Sequence, residues 1–101
     1  MAIQQFNPPH PGGLIERTYI EPFKAVSAAG IARELGVSKS TFSRLLAGKS
    51  DISPEMAVRL SAVLGRTAES WLSLQDSYDL WKARQAVNTD KLARIDFNQV
   101  A

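Results

Sequence analysis

Between Ala28 and Leu45 the apolar residues form two helical sets separated by a glycine, and few folds accept that pattern. Ile31, Ala32 and Leu35 share one helical face, Gly36-Val37 follows, and Phe42 and Leu45 restart the period. This is the spacing of a helix-turn-helix, with a second helix packed back on the first and one face left for the DNA major groove. Ala32 is small enough for the two helices to cross closely, and Gly36 tolerates the positive φ of a tight turn.

The flanking signals extend the helical pattern in both directions. Ser27 and Ser38 are N-cap residues, because a serine hydroxyl accepts from an amide two or three residues on. Gly48 is a C-terminal stop. Ser53-Pro54 pairs a capping hydroxyl with proline at the first helical position, and Met56, Ala57, Leu60, Val63 and Leu64 follow at helical spacing up to Gly65. Thr67 opens a longer helix that runs to about Gln85, and a short helix is predicted over Gly12–Ile20, ended by Pro22. No segment alternates long enough for a strand, so the expected class is all-α, a five-helix repressor-like helix-turn-helix domain.

One chain of 101 residues supports one domain. We expect a proline-rich lead-in over 1–11, where Pro8, Pro9 and Pro11 oppose regular structure. The DNA-binding domain then covers 12–86, with the helix-turn-helix at about 28–47 and a dimerising last helix, and 87–101 form a tail of mixed character. Cysteine is absent, which removes disulfides, zinc fingers and thiol chemistry together. No apolar run approaches the roughly 20 residues of a membrane span, and Met1–Phe6 lacks a signal-peptide pattern. A cytoplasmic protein is expected.

Charge is distributed to suit a nucleic-acid face. The net charge is only +2, yet no acidic residue stands between Ser38 and Ser50, where Lys39, Arg44 and Lys49 are found. Phe42, Leu45 and Leu46 fall on one side of the second helix. Ser40, Ser43, Arg44 and Ala47 point the other way, flanked by Lys39 and Thr41. Short hydroxyl side chains allow close approach to the groove, and Arg44 can grip a guanine edge with two hydrogen bonds. Lys39, Lys49 and Ser50 suit phosphates, which set register.

Gly36-Val37-Ser38-Lys39-Ser40-Thr41-Phe42-Ser43-Arg44-Leu45-Leu46-Ala47-Gly48-Lys49 resembles the helix-turn-helix of xenobiotic-response-element-type (Cro/repressor-like) regulators. More narrowly, Ile52–Leu60, Trp71-Leu72-Ser73-Leu74-Gln75 and Tyr78-Asp79-Leu80-Trp81 resemble HigA-type antitoxins of the HigB–HigA class, as does His10-Pro11-Gly12. The resemblance covers about Pro8 to Arg84. It implies a dimeric repressor that binds double-stranded operator DNA at its own promoter and neutralises a cognate RNA-cleaving toxin. By position it assigns Ser38, Lys39, Ser40, Thr41 and Arg44 to DNA contact. Where many such repressors carry a phosphate-binding glutamine, this chain has Ala28. A toxin held together with DNA needs a surface apart from the recognition helix. Asn7–Tyr19 is the candidate, because its prolines reduce the ordering cost of association and it carries Glu16 and Arg17 without a basic cluster. The other reading of that segment is a cover for the core.

The last helix is apolar on two sides. Trp71, Leu74, Tyr78 and Trp81 form one stripe, while Leu72, Leu80, Ala83 and Val87 lie off it, so the helix needs two burial partners. Trp71 and Leu74 are expected in the core, and Leu80 and Trp81 at a contact between two copies.

Catalysis is not expected. His10 is the only histidine and sits among prolines as a turn residue; Asp76 and Asp79 read as solvated charges or local caps. There is no phosphate-binding glycine loop, and no metal or cofactor is expected. The alternatives to an antitoxin are a stand-alone transcriptional regulator and a helical protein-interaction module. The hydroxyl-rich basic face disfavours the latter, since an adaptor would expose apolar anchors there. The product of a neighbouring reading frame separates the other two.

Overall fold

The helical sets become a bundle because each presents a few large apolar side chains to a shared centre. The computed structural model describes residues 7–100; residues 1–6 of the expected lead-in and Ala101 of the tail lie outside them. The element order is α1 (Pro11–Ile15), continuing as a π-helical turn over Glu16–Ile20, α2 (Ala28–Leu35), α3 (Lys39–Leu46), α4 (Pro54–Leu64), α5 (Ala68–Ala86), a 3-10 turn at Thr89–Lys91 and α6 (Phe97–Val100). Ile15, Ile31, Ala32, Leu35, Phe42, Leu45, Ile52, Ala57, Leu60 and Trp71 form the core. Each large member removed from water contributes roughly 1.5–3 kcal/mol before chain entropy is charged against it.

Local chemistry sets the ends of α2 to α5. Ser27, Ser38, Ser53 and Thr67 each accept a backbone N–H three residues on, at 3.0–3.1 Å. Gly36 closes α2 in the left-handed region at φ 76°, and the Val37 N–H reaches back to the Ala32 carbonyl at 3.1 Å. Arg59 Nη1 adds a cap from α4, donating to the Leu35 carbonyl at 2.7 Å. At the α4–α5 corner Trp71, fully buried, donates from Nε1 to the Gly65 carbonyl at 2.8 Å, with the Arg66 guanidinium 5.4 Å from its ring centre.

Three expectations change. Pro11, placed in the lead-in, is the buried first residue of α1, where a missing N–H costs nothing. The predicted helix over 12–20 is two joined pieces of different pitch. A sixth helix, Phe97–Val100, sits in the tail, so the described residues hold more than the five expected. From Lys82 to Val100 every residue is exposed. The radius of gyration is accordingly 17.8 Å, against about 13 Å for a compact domain of 100 residues.

Candidate nucleic-acid interface

Helix α3 turns Phe42 and Leu45 inward and leaves its opposite face to solvent. Lys39, Ser40, Thr41, Ser43, Arg44, Ala47 and Lys49 are all exposed. The expected outward set is thus one continuous surface. Ser38 is exposed too, but its hydroxyl is engaged: it accepts from the Thr41 N–H at 3.1 Å and donates to Thr41 Oγ1 at 2.8 Å. Ser38 and Thr41 therefore build the start of the helix, while Ser40, Ser43 and Arg44 project from its open side.

The far end of α3 is closed with equal care. Gly48 adopts φ 76°, and the Lys49 N–H returns to the Arg44 carbonyl at 2.8 Å. This sends the chain sharply away and leaves Lys49 exposed just past the helix. Asp51, the first acid after Lys39, has Oδ1 held by Gln75 Nε2 at 3.1 Å. The expected phosphate and base contacts are therefore grouped on one face free of carboxylates from α3 to Ser50.

Two polar residues that support this face escaped sequence reasoning. His10, expected as a turn residue, is the N-cap of α1, its Nδ1 accepting from the Gly12 N–H at 2.9 Å. That bond places the ring proton on Nε2, which faces Asp51 Oδ1 at 3.7 Å, while Tyr78 meets the ring edge-on with centroids 5.0 Å apart. Gln75, only 3% exposed, is the buried polar side chain of the core; it receives the Ile52 N–H at 2.8 Å and also donates to Asp79 at 3.0 Å. Asp79 is thus a partner of Gln75 rather than only a solvated charge. The signal available for both was position alone: a histidine directly before proline and glycine, and a glutamine on the apolar side of α5.

The second face of α5 is open. Leu80 is 49% exposed, and Trp81 is half-buried against Tyr78, ring centroids 6.4 Å apart. Val87, Leu92, Ile95, Phe97 and Val100 continue the exposed apolar series into the tail. No helix among the described residues is long and apolar enough to cross a membrane.

Comparison with known proteins agrees with this fold. The helix-turn-helix family model matches residues 26–72. The chain is 39% identical over 88% of its length to the HTH-type transcriptional regulator YddM of Escherichia coli, covering 93% of that protein. It is 37% identical over 72% of its length to antitoxin HigA-1 of Vibrio cholerae serotype O1, covering 68% of it. A solved structure of Pseudomonas aeruginosa antitoxin HigA with the higBA promoter superposes with a TM-score of 0.77 at 31% identity, over 88% of this chain and 96% of that one.

Proposed function

The chain belongs to the helix-turn-helix family and, within it, to the HigA-type antitoxins, and on that premise we propose that it represses its own operon and neutralises a cognate RNA-cleaving toxin. One observation carries the DNA half: the exposed, carboxylate-free face of α3, capped by Ser38 and centred on Arg44. Arg44 reads base edges; Ser40 and Ser43 let the helix approach; Ser38, Lys39, Thr41 and Lys49 set its register on the backbone. The protein is a binding module and not an enzyme, and it acts in the cytoplasm, where its DNA is.

A single α3 spans few base pairs, so a homodimer on two half-sites one helical turn apart supplies the specificity. Leu80 and Trp81 carry the dimer contact, and the exposed apolar residues of the tail extend it. A stand-alone regulator is the second reading; the similarity to YddM, an HTH-type transcriptional regulator, supports regulation under either reading.

The direct test is a titration against the promoter fragment of its own gene and a scrambled fragment of equal length. Preference of about 10³-fold or more is expected at physiological salt. Equal affinity for both would remove the operator. Copurification of the tagged chain with the product of the neighbouring reading frame tests the toxin half; a frame encoding no partner would favour the stand-alone regulator.

A further inference from the structure

Gln75 reaches across the fold to the segment that follows the DNA-facing helix. Its side chain is buried in the middle of α5, 24 residues in sequence from Asp51, yet its one amide engages two consecutive residues there. Oε1 receives the Ile52 N–H at 2.8 Å, and Nε2 donates to Asp51 Oδ1 at 3.1 Å. The orientation of the amide is dictated by its partners, since only oxygen can meet an N–H and only nitrogen a carboxylate. A second carboxylate, Asp79 Oδ1 at 3.0 Å, holds the same nitrogen from the next turn of α5.

These contacts fix the downstream end of a short bridge. Its upstream end is fixed by Gly48 at φ 76° and by the Lys49 N–H on the Arg44 carbonyl. Lys49 and Ser50 are the only residues between Gly48 and Asp51. The His10 ring packs alongside, where a Cβ on Gly48 would lie 3.6 Å from the ring and where Nε2 faces Asp51. A lysine needs the backbone beneath it held if its ammonium is to meet one phosphate and not sweep solvent.

We infer that Gln75 is a positioning residue for operator binding: by clamping Asp51 and Ile52 it presents Lys49 to the DNA backbone, although it never touches DNA. This rests on the operator-binding function proposed above. It also gives α5, the helix that carries the proposed dimer face, a direct hydrogen-bonded link to the DNA-facing surface.

The salt dependence of operator affinity isolates this role. Each phosphate that a variant no longer neutralises reduces the slope of log K against log salt by about one unit. A purely structural side chain would lower the melting temperature and leave the slope of the folded protein unchanged. Full-length wild type, Lys49→Ala, Gln75→Met and the double variant are titrated on the promoter fragment across a range of salt. Because the dimer carries two copies of each residue, Gln75→Met is expected to lose about two units of slope, one per protomer, as Lys49→Ala does, and the double variant is expected to lose no more than either alone. A folded Gln75→Met with the wild-type slope overturns the inference, as does a double variant whose slope falls by about four units, the sum of two independent losses. Should Gln75→Met not fold, Gln75→Glu replaces it, since a carboxylate still accepts from Ile52 but repels Asp51 and Asp79. Adding Asp51→Asn and Asp79→Asn to Gln75→Glu turns both facing carboxylates into amide donors and is expected to restore the slope; an unchanged slope in Gln75→Glu overturns the inference. Failure of the operator function itself is a separate result, read from wild type alone as equal affinity for promoter and scrambled DNA.

Discussion

Gly12 lies so close to the backbone of Leu45 that a Cβ at Gly12 would overlap the Leu45 carbonyl oxygen and sit 2.9 Å from its carbon. The same Cβ would be 3.0 Å from Leu46 Cα. Helix α1 therefore packs backbone to backbone on the end of α3, and only glycine permits the approach. Gly13, one residue on, would direct its Cβ at Arg17 Nη1 at 3.0 Å, the movable end of a long side chain. Gly12→Ala should destabilise by about 1–3 kcal/mol through overpacking, while Gly13→Ala should be neutral or gain up to about 1 kcal/mol in helix propensity. Thermal unfolding of the pair decides it: equal melting temperatures would show that α1 can slide off α3 at no cost.

Arg44 should carry sequence reading and Lys39 the backbone. Arg44 stands mid-face and is the side chain there able to make a bidentate pair with guanine, worth about 1–3 kcal/mol of discrimination. Arg44→Ala should lose that much on the operator and far less on scrambled DNA. Lys39→Ala should weaken both alike and reduce the salt slope by about two units, one per protomer of the dimer. If Arg44→Ala also costs the same on both fragments, its guanidinium meets phosphate only.

Leu80→Glu should shift the protein toward monomer in sedimentation equilibrium without loss of helical signal. Leu80 is half exposed and stands outside the set of side chains packed on the core, so a charge there costs the monomer fold little. Set against a partner's apolar face, the same carboxylate is desolvated and unpaired. Persistence of the dimer would move the contact to the tail, where Leu92, Phe97 and Val100 offer the next apolar surface.

The helix-turn-helix is legible in the sequence because everything that defines it is local. Ser38 caps within three residues, Gly36 supplies the turn by its own φ, and Phe42 and Leu45 declare their face by spacing. The exposed set on α3 follows by subtraction. What sequence does not supply are partnerships across the fold. Gln75 reads as one more polar residue on the mixed helix α5 until Ile52, 23 positions earlier, is folded against it. His10 reads as a turn residue until Gly12, Asp51 and Tyr78 converge on its ring. The tail resists reading for a different reason: its apolar residues have no helical period, and none of them reaches the core.

The toxin should be bound by the outer side of the first helical segment. Of the candidate stretch 7–19, the fold turns one part inward and one part outward. His10, Pro11, Gly12 and Ile15 pack inward, while Glu16, Arg17 and Thr18 are exposed on the π-helical turn. Truncation to Gly12 would delete the α1 cap and a buried proline, and so would confuse loss of site with loss of fold. Charge reversal of the outer residues is the cleaner probe. A toxin that cleaves RNA must itself grip a polyanion, so its basic surface favours Glu16 and disfavours a cation in its place. Glu16→Lys should therefore raise the toxin Kd about tenfold, or about 1.4 kcal/mol, with operator affinity and melting temperature unchanged. Titration of the isolated toxin onto wild type and variant measures it; an unchanged Kd from Glu16→Lys and from Arg17→Glu alike would exclude this turn from the toxin surface.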